Sequence, residues 1–139
     1  FGMPRYTNIQ MPWPDPEPPT VPDHINEVGS YRKRFTIPAE WSKDRIILHF
    51  AGVKSCFFVW LNGTFIGYRQ GSHTPTEFDV SQHVKTGDEN ILAVRVYRWC
   101  DGSYLEDQDC WDMSGIHRTP FIYAMPQVFI NDFFVRASL

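Results

Sequence analysis

Residues 98 to 118 read Arg-Trp-Cys-Asp-Gly-Ser-Tyr-Leu-Glu-Asp-Gln-Asp-Cys-Trp-Asp-Met-Ser-Gly-Ile-His-Arg. The acids Asp101, Glu106, Asp107, Asp109 and Asp112 alternate with the rings of Trp99, Tyr104 and Trp111. An ionised carboxylate only accepts hydrogen bonds, and sugar hydroxyls donate them. Flat aromatic rings cover the apolar C–H face of a pyranose. The pairing of the two residue types therefore points to carbohydrate. Two other readings compete with it. One is a solvated acidic loop whose tryptophans fill the core beneath. The other is a calcium loop, since acids supply oxygen ligands; the EF-hand spacing is not met, because Tyr104 and Leu105 stand where ligands are needed.

A stretch this long between two strands is a functional loop or a disordered one, and the aromatics argue against disorder. Strands must position it. From Val28 onward the apolar period is two: Tyr31, Phe35 and Ile37 alternate with Arg32, Arg34 and Thr36. Ile46, Leu48 and Phe50 share one face, and Cys56 to Leu61 is apolar on both. Asn62-Gly63 is a strong hairpin signal, because both residues tolerate a positive φ. Thr64 to Gln70 returns as the partner strand. Further strands are predicted at Glu77 to Val80, Ile91 to Trp99, Ile116 to Ala124, Gln127 to Ile130 and Phe133 to Ala137, with a turn at Asn131-Asp132. Pro38 to Lys43 and Ser81 to Val84 suit single helical turns. Short strands separated by turns predict an all-β fold, a jelly-roll β-sandwich.

Residues 1–27 are different. They hold Pro4, Pro12, Pro14, Pro16, Pro18, Pro19 and Pro22, seven of the eleven prolines. Proline donates no backbone hydrogen bond, so the stretch is neither helix nor central strand. An extended arm is predicted over 1–27, lying on a surface through Phe1, Met3, Tyr6, Ile9, Met11 and Trp13. The sandwich follows over 28–139, making one domain overall.

The net charge of −3 and the absence of a basic patch argue against nucleic acid. Arg32, Lys33 and Arg34 read as a solvated strand face. No apolar run is long enough to span a membrane as a helix. The three cysteines, Cys56, Cys100 and Cys110, have no metal spacing. Cys56 reads as a core residue, and a Cys100–Cys110 pairing stays open. Glu77 is predicted to cap a loop or pair with an arginine. The glycosylation-like Asn62-Gly63-Thr64 is read as the hairpin.

The run from Arg98 to Ile116 resembles the sugar-binding domain of family 2 glycoside hydrolases of the large β-galactosidase type. Support is spread along the chain: Tyr6-Thr7-Asn8, Gly29-Ser30-Tyr31, Phe50-Ala51-Gly52-Val53, Trp60-Leu61-Asn62-Gly63, Gly67-Tyr68 and Pro75-Thr76-Glu77-Phe78-Asp79. Departures are Cys110 where relatives often carry Met, and Asp112 where they often carry a basic residue.

The resemblance implies a non-catalytic domain excised from a retaining β-galactosidase that hydrolyses terminal β-D-galactosides. The family's two catalytic glutamates lie on a separate TIM barrel, ~5–5.5 Å apart across the scissile bond. No catalytic residue is therefore assigned to this chain, and the isolated chain is expected to hydrolyse nothing. Asn26-Glu27 imitates the family's acid/base dipeptide but lacks its preceding strand and is read as a decoy. The resemblance gives Asp109 the galactose hydroxyls and a share in a monovalent cation site once the barrel is present. It gives Asn8 a contact with the same sugar. No cofactor is expected in this chain, with Mg²⁺ and Na⁺ allowed in the full enzyme. The expected partners are a galactoside, the parent's other domains and further copies of the parent; the compartment, bacterial cytoplasm or periplasm, stays open. The alternatives are a stand-alone lectin-like module and a sandwich without a ligand.

Overall fold

The computed structural model describes residues 2–6, 11, 13–106 and 108–138. Among these residues nine strands form in order: β1 (Val28–Thr36), β2 (Arg45–Phe50), β3 (Val53–Lys54), β4 (Cys56–Leu61), β5 (Thr64–Gln70), β6 (Thr76–Asp79), β7 (Glu89–Tyr97), β8 (Gly115–Ile116) and β9 (Phe121–Met125). Helical structure among the described residues is confined to 3₁₀ turns at Asp23–Ile25, Ala39–Lys43 and Asp101–Tyr104. The strands make a four-stranded sheet in the order β1-β7-β4-β5, a three-stranded sheet β6-β2-β9 and a two-stranded ribbon β3-β8. Every pairing is antiparallel.

The period of two sorts the side chains. Phe57, Val59, Leu61, Val94 and Val96 point inward from the larger sheet. Ile46, Leu48, Phe50 and Phe78 meet them from the smaller one. Phe50 and Phe57 pack across the interface with ring centroids 4.9 Å apart. This is the expected all-β sandwich. Phe78 also needs Gly67, where a Cβ would lie 2.7 Å from its ring. On the outer face Arg95, Phe58 and Tyr68 lie in one register row.

Local signals acted as expected in several places. Asn62 and Gly63 have φ of 52° and 85°, which suits the two-residue hairpin. The Asn62 side chain is fully occupied: it donates to the Asn90 side chain and the His83 carbonyl, both at 2.8 Å, and accepts from Ile91 N–H at 3.0 Å. Cys56 is buried, and Arg32, Lys33 and Arg34 are exposed.

Four expectations need correction. Ile116 to Ala124 is two strands, β8 and β9, separated by a stretch containing Pro120, which has no N–H for a ladder. Gln127 to Ile130 and Phe133 to Ala137 form no strand, and Asn131-Asp132 joins none. Their alternation is strand-like, but Val128, Ile130, Phe133, Phe134 and Val135 all remain exposed, so no apolar face is buried to hold them as strands. Among the described residues Glu77 pairs with no arginine. It stands opposite His49 in the β2–β6 register and accepts from His49 Nδ1 and Tyr123 OH, each at 2.9 Å. In the stretch 1–27, Phe1 and Ile9 lie outside the described residues; Trp13 is buried, Met11 half-buried, and Met3 and Tyr6 are exposed.

Phe50 is 1% exposed at the centre of the core. Phe50→Ala should therefore cost about 3–5 kcal/mol of stability, because a cavity remains after the ring is lost. In urea unfolding the midpoint should fall with little change in slope; an unaltered midpoint contradicts this account of the core.

Candidate functional site

The acidic aromatic loop runs from the end of β7 to the start of β8. Its root is fixed by residues that precede β1. Arg98 is 2% exposed, and its guanidinium donates to the Glu27 carboxylate and the Met3 carbonyl. Its N–H donates to the Glu27 carbonyl at 3.0 Å. The Arg98 hydrogen bond holds the Glu27 carboxyl below its usual range. Asn26 clamps the next residue from both sides: its amide donates to the Trp99 carbonyl at 3.0 Å and accepts from the Trp99 N–H at 2.9 Å. The Asn26-Glu27 dipeptide thus has a structural task at the loop's root.

Trp13 and Trp99 are each 4% exposed and meet edge to face, with centroids 5.6 Å apart. Trp13 Nε1 donates to the Tyr104 hydroxyl at 3.3 Å, and that hydroxyl donates to the Thr20 carbonyl at 2.5 Å. Trp99 is therefore core. Tyr104 ties residues 13–20 to the 3₁₀ turn.

The acids divide by environment. Asp101 accepts from Gln70 Nε2 at 2.7 Å and from Gly102 N–H at 2.9 Å. Glu106 uses both oxygens on Ser72, accepting its N–H at 2.7 Å and its hydroxyl at 2.5 Å. Asp112 is 2% exposed with Lys54 Nζ 3.8 Å away. Burial pushes its carboxyl up, and Lys54 and Arg98 work against that shift. Asp109 is exposed and accepts a hydrogen bond from the Tyr6 hydroxyl. The Tyr6 ring meets Trp111, 62% exposed, at a centroid distance of 6.0 Å. Asp107 and Asn8 lie outside the described residues.

The cysteines are all free. Cys110 is exposed, whereas Cys100 is buried and accepts from the Ser55 hydroxyl at 3.3 Å, so the Cys100–Cys110 pairing does not form. Hydrogen bonds from Cys56, then Ser55 and Ser103, pull the Cys100 thiol down to about 6 and leave Cys56 above its usual range.

A carboxylate flanked by two accessible rings can accept from hydroxyls and cover a sugar face. Among the described residues no group of three His, Cys, Asp or Glu could hold a metal ion. Sequence reasoning missed Tyr6 as the partner of Asp109, Lys54 as the counter-ion of Asp112 and Ser72 as the anchor of Glu106. Tyr6 had a signal, since it sits two residues before Asn8. Lys54 and Ser72 had none, because tertiary pairing brings them in.

Residues 1–126 match the pattern of the glycosyl hydrolases family 2 sugar binding domain. The chain is 49% identical over 142 residues to a β-galactosidase of Priestia megaterium, covering 100% of this chain and 14% of that protein. It is 45% identical to a β-galactosidase of Streptococcus thermophilus, covering 99% of this chain and 14% of that one. A β-galactosidase of Vibrio cholerae is 47% identical, with 100% and 13% covered. Among solved structures, a Bacteroides uniformis β-glucuronidase superposes with a TM-score of 0.65 at 26% identity, over 71% of this chain and 12% of that one. A family 2 member from Bacteroides cellulosilyticus gives 0.57 at 27% identity, over 71% and 13%. The chain thus spans about one-seventh of the β-galactosidases it matches.

Ser72 is 0% exposed, and Glu106 takes both of its donors. Glu106→Ala should leave them unpaired at a cost of about 1–3 kcal/mol. Amide hydrogen exchange should rise across the loop but not in β4. Unchanged exchange in the loop contradicts the anchoring role.

Proposed function

As the chain belongs to the family 2 glycosyl hydrolases, as their sugar-binding domain, we propose that it serves a retaining β-galactosidase by positioning the substrate. Asp109 accepts from hydroxyls of a terminal β-D-galactoside, and Asn8 adds an amide contact from the segment before β1. Two glutamates on a separate TIM barrel carry out the hydrolysis. One observation carries this reading. Among the described loop acids, Asp109 is the exposed one that meets the Tyr6 hydroxyl beside the Trp111 ring, whereas exposed Asp101 accepts from Gln70 and Gly102, and Glu106 and Asp112 are held by Ser72 and Lys54.

The chemistry fits a positioning role. Holding a substrate in its reactive geometry removes much of the entropic barrier, and small misplacements slow the reaction steeply. A site built to accept from hydroxyls also rejects sugars that lack them. The tyrosine hydroxyl on Asp109 helps to fix the carboxylate's orientation.

A monovalent cation beside Asp109 belongs to the same proposal. One carboxylate is too few ligands, so the barrel must supply other oxygens. Mg²⁺ is assigned to the parent enzyme alone. The partners on this reading are the galactoside, the parent's other domains and further copies of the parent.

In the full-length enzyme carrying this chain, Asp109→Asn should lower kcat/KM for an aryl β-D-galactoside roughly a hundredfold, with the melting temperature unchanged. Wild-type kinetics in that variant would sink the proposal. The isolated chain should neither hydrolyse the same substrate nor show saturable galactose shifts in NMR titration. Saturable binding by the isolated chain favours the self-sufficient lectin-like module instead.

A further inference from the structure

Asp112 has no contact with solvent that explains a charge. It is 2% exposed, and neither carboxylate oxygen accepts a hydrogen bond among the described residues. Its counter-ion is Lys54, whose Nζ lies 3.8 Å away and whose side chain is only 12% exposed. Burying such a pair costs desolvation that hydrophobic replacements avoid, so stability alone is a poor reason to keep it. A buried pair of this kind is better suited to fixing one arrangement of the chain.

The position of the pair says which arrangement. Asp112 lies three residues after Asp109. Its backbone bridges Arg5 in both directions, with Arg5 N–H on the Asp112 carbonyl at 3.1 Å and Asp112 N–H on the Arg5 carbonyl at 2.5 Å. The residue after Arg5 is Tyr6, which donates to Asp109. Lys54 belongs to β3 and pairs in register with Gly115 of β8. Three chain segments therefore converge on one ion pair: the stretch before β1, the acidic loop and the sandwich. Arg98, Glu106 and Arg5 are the other charges that act on Asp112. Arg98 and Glu106 are already engaged, by Glu27 and by Ser72.

Resting on the substrate-positioning reading of Asp109, we propose that the buried Asp112–Lys54 pair is a positioning device that sets Asp109, Tyr6 and Trp111 against the sandwich in one geometry. Asp112 and Lys54 are positioning residues and touch no sugar. The pair acts by charge, so its polarity is exchangeable: an acid at 54 facing a base at 112 performs the same task.

The test uses the full-length enzyme and an aryl β-D-galactoside. Asp112→Asn and Lys54→Met should each lower kcat/KM roughly tenfold to a hundredfold. The exchanged double variant, Lys54→Asp with Asp112→Lys, should recover most of that loss and keeps the test open where a single variant fails to fold. In an Asp109→Asn background, Asp112→Asn should add less than about a twofold further loss, because coupled residues are non-additive. Wild-type kinetics for both single variants overturn the proposal. So does an Asp112→Asn loss as large without Asp109 as with it, or a folded exchanged variant that recovers nothing. If Asp109→Asn itself is kinetically silent, the positioning reading of Asp109 fails first, and that outcome is separate from any result at Asp112.

Discussion

A buried guanidinium holds the architecture of the site together. Arg98 follows directly on β7, and a cation there must be compensated or it destabilises the fold. Its acceptors come from outside the sandwich, from the Glu27 carboxylate and the Met3 carbonyl. The need to neutralise Arg98 thus brings residues 3 and 27 to the root of the acidic loop. Asn26 then fixes the peptide of Trp99, and Trp99 packs on Trp13. Each contact follows from the one before it. The stretch before β1 and the loop after β7 lie far apart in sequence but form one unit in space.

Within that unit, composition alone does not say what an acid does. Five carboxylates in one loop invite a reading as a binding cluster, yet the surroundings of the four described ones, Asp101, Glu106, Asp109 and Asp112, separate them. Asp101 accepts from Gln70 and Gly102 through one oxygen, and Glu106 uses both oxygens on Ser72. Asp112 sits in the interior against Lys54. Asp109 is exposed and in contact with the Tyr6 hydroxyl. Burial sets Asp112 and half-buried Glu106 apart from exposed Asp101 and Asp109: a carboxylate closed in by its own fold is closed to a ligand.

The sandwich was legible because its rules are local. Alternation marked β1 and β2, an apolar run on both faces marked β4, and Asn62-Gly63 marked the hairpin that sets the β4–β5 register. Alternation says which face of a strand is apolar but not whether a neighbour exists to pair with it. That is why Phe133 to Ala137 read as a strand and has none beside it. The candidate site was legible in outline, because tryptophans and carboxylates crowd one loop. Its internal wiring was not. Lys54 and Ser72 carry no local mark, and they reach the loop only through the β3–β8 ribbon and the turn after β5. Asn26-Glu27 shows the converse, since a dipeptide suggestive of catalysis serves a clamp.

The exposed apolar residues complete the physical account. Met3, Tyr6, Leu105, Trp111 and Met113 are all more than half exposed on the loop and the stretch that holds it, and Val128, Ile130, Phe133, Phe134 and Val135 are exposed after β9. The core does not need them, because Phe50, Phe57 and Phe78 already fill the space between the sheets. Clustered exposed apolar side chains mark surfaces that another surface covers. On the proposed reading, the first group meets the substrate and the barrel that acts on it, and the second meets a neighbouring domain. The sandwich supplies rigidity, and on the same reading the apolar residues it leaves uncovered face surfaces beyond it.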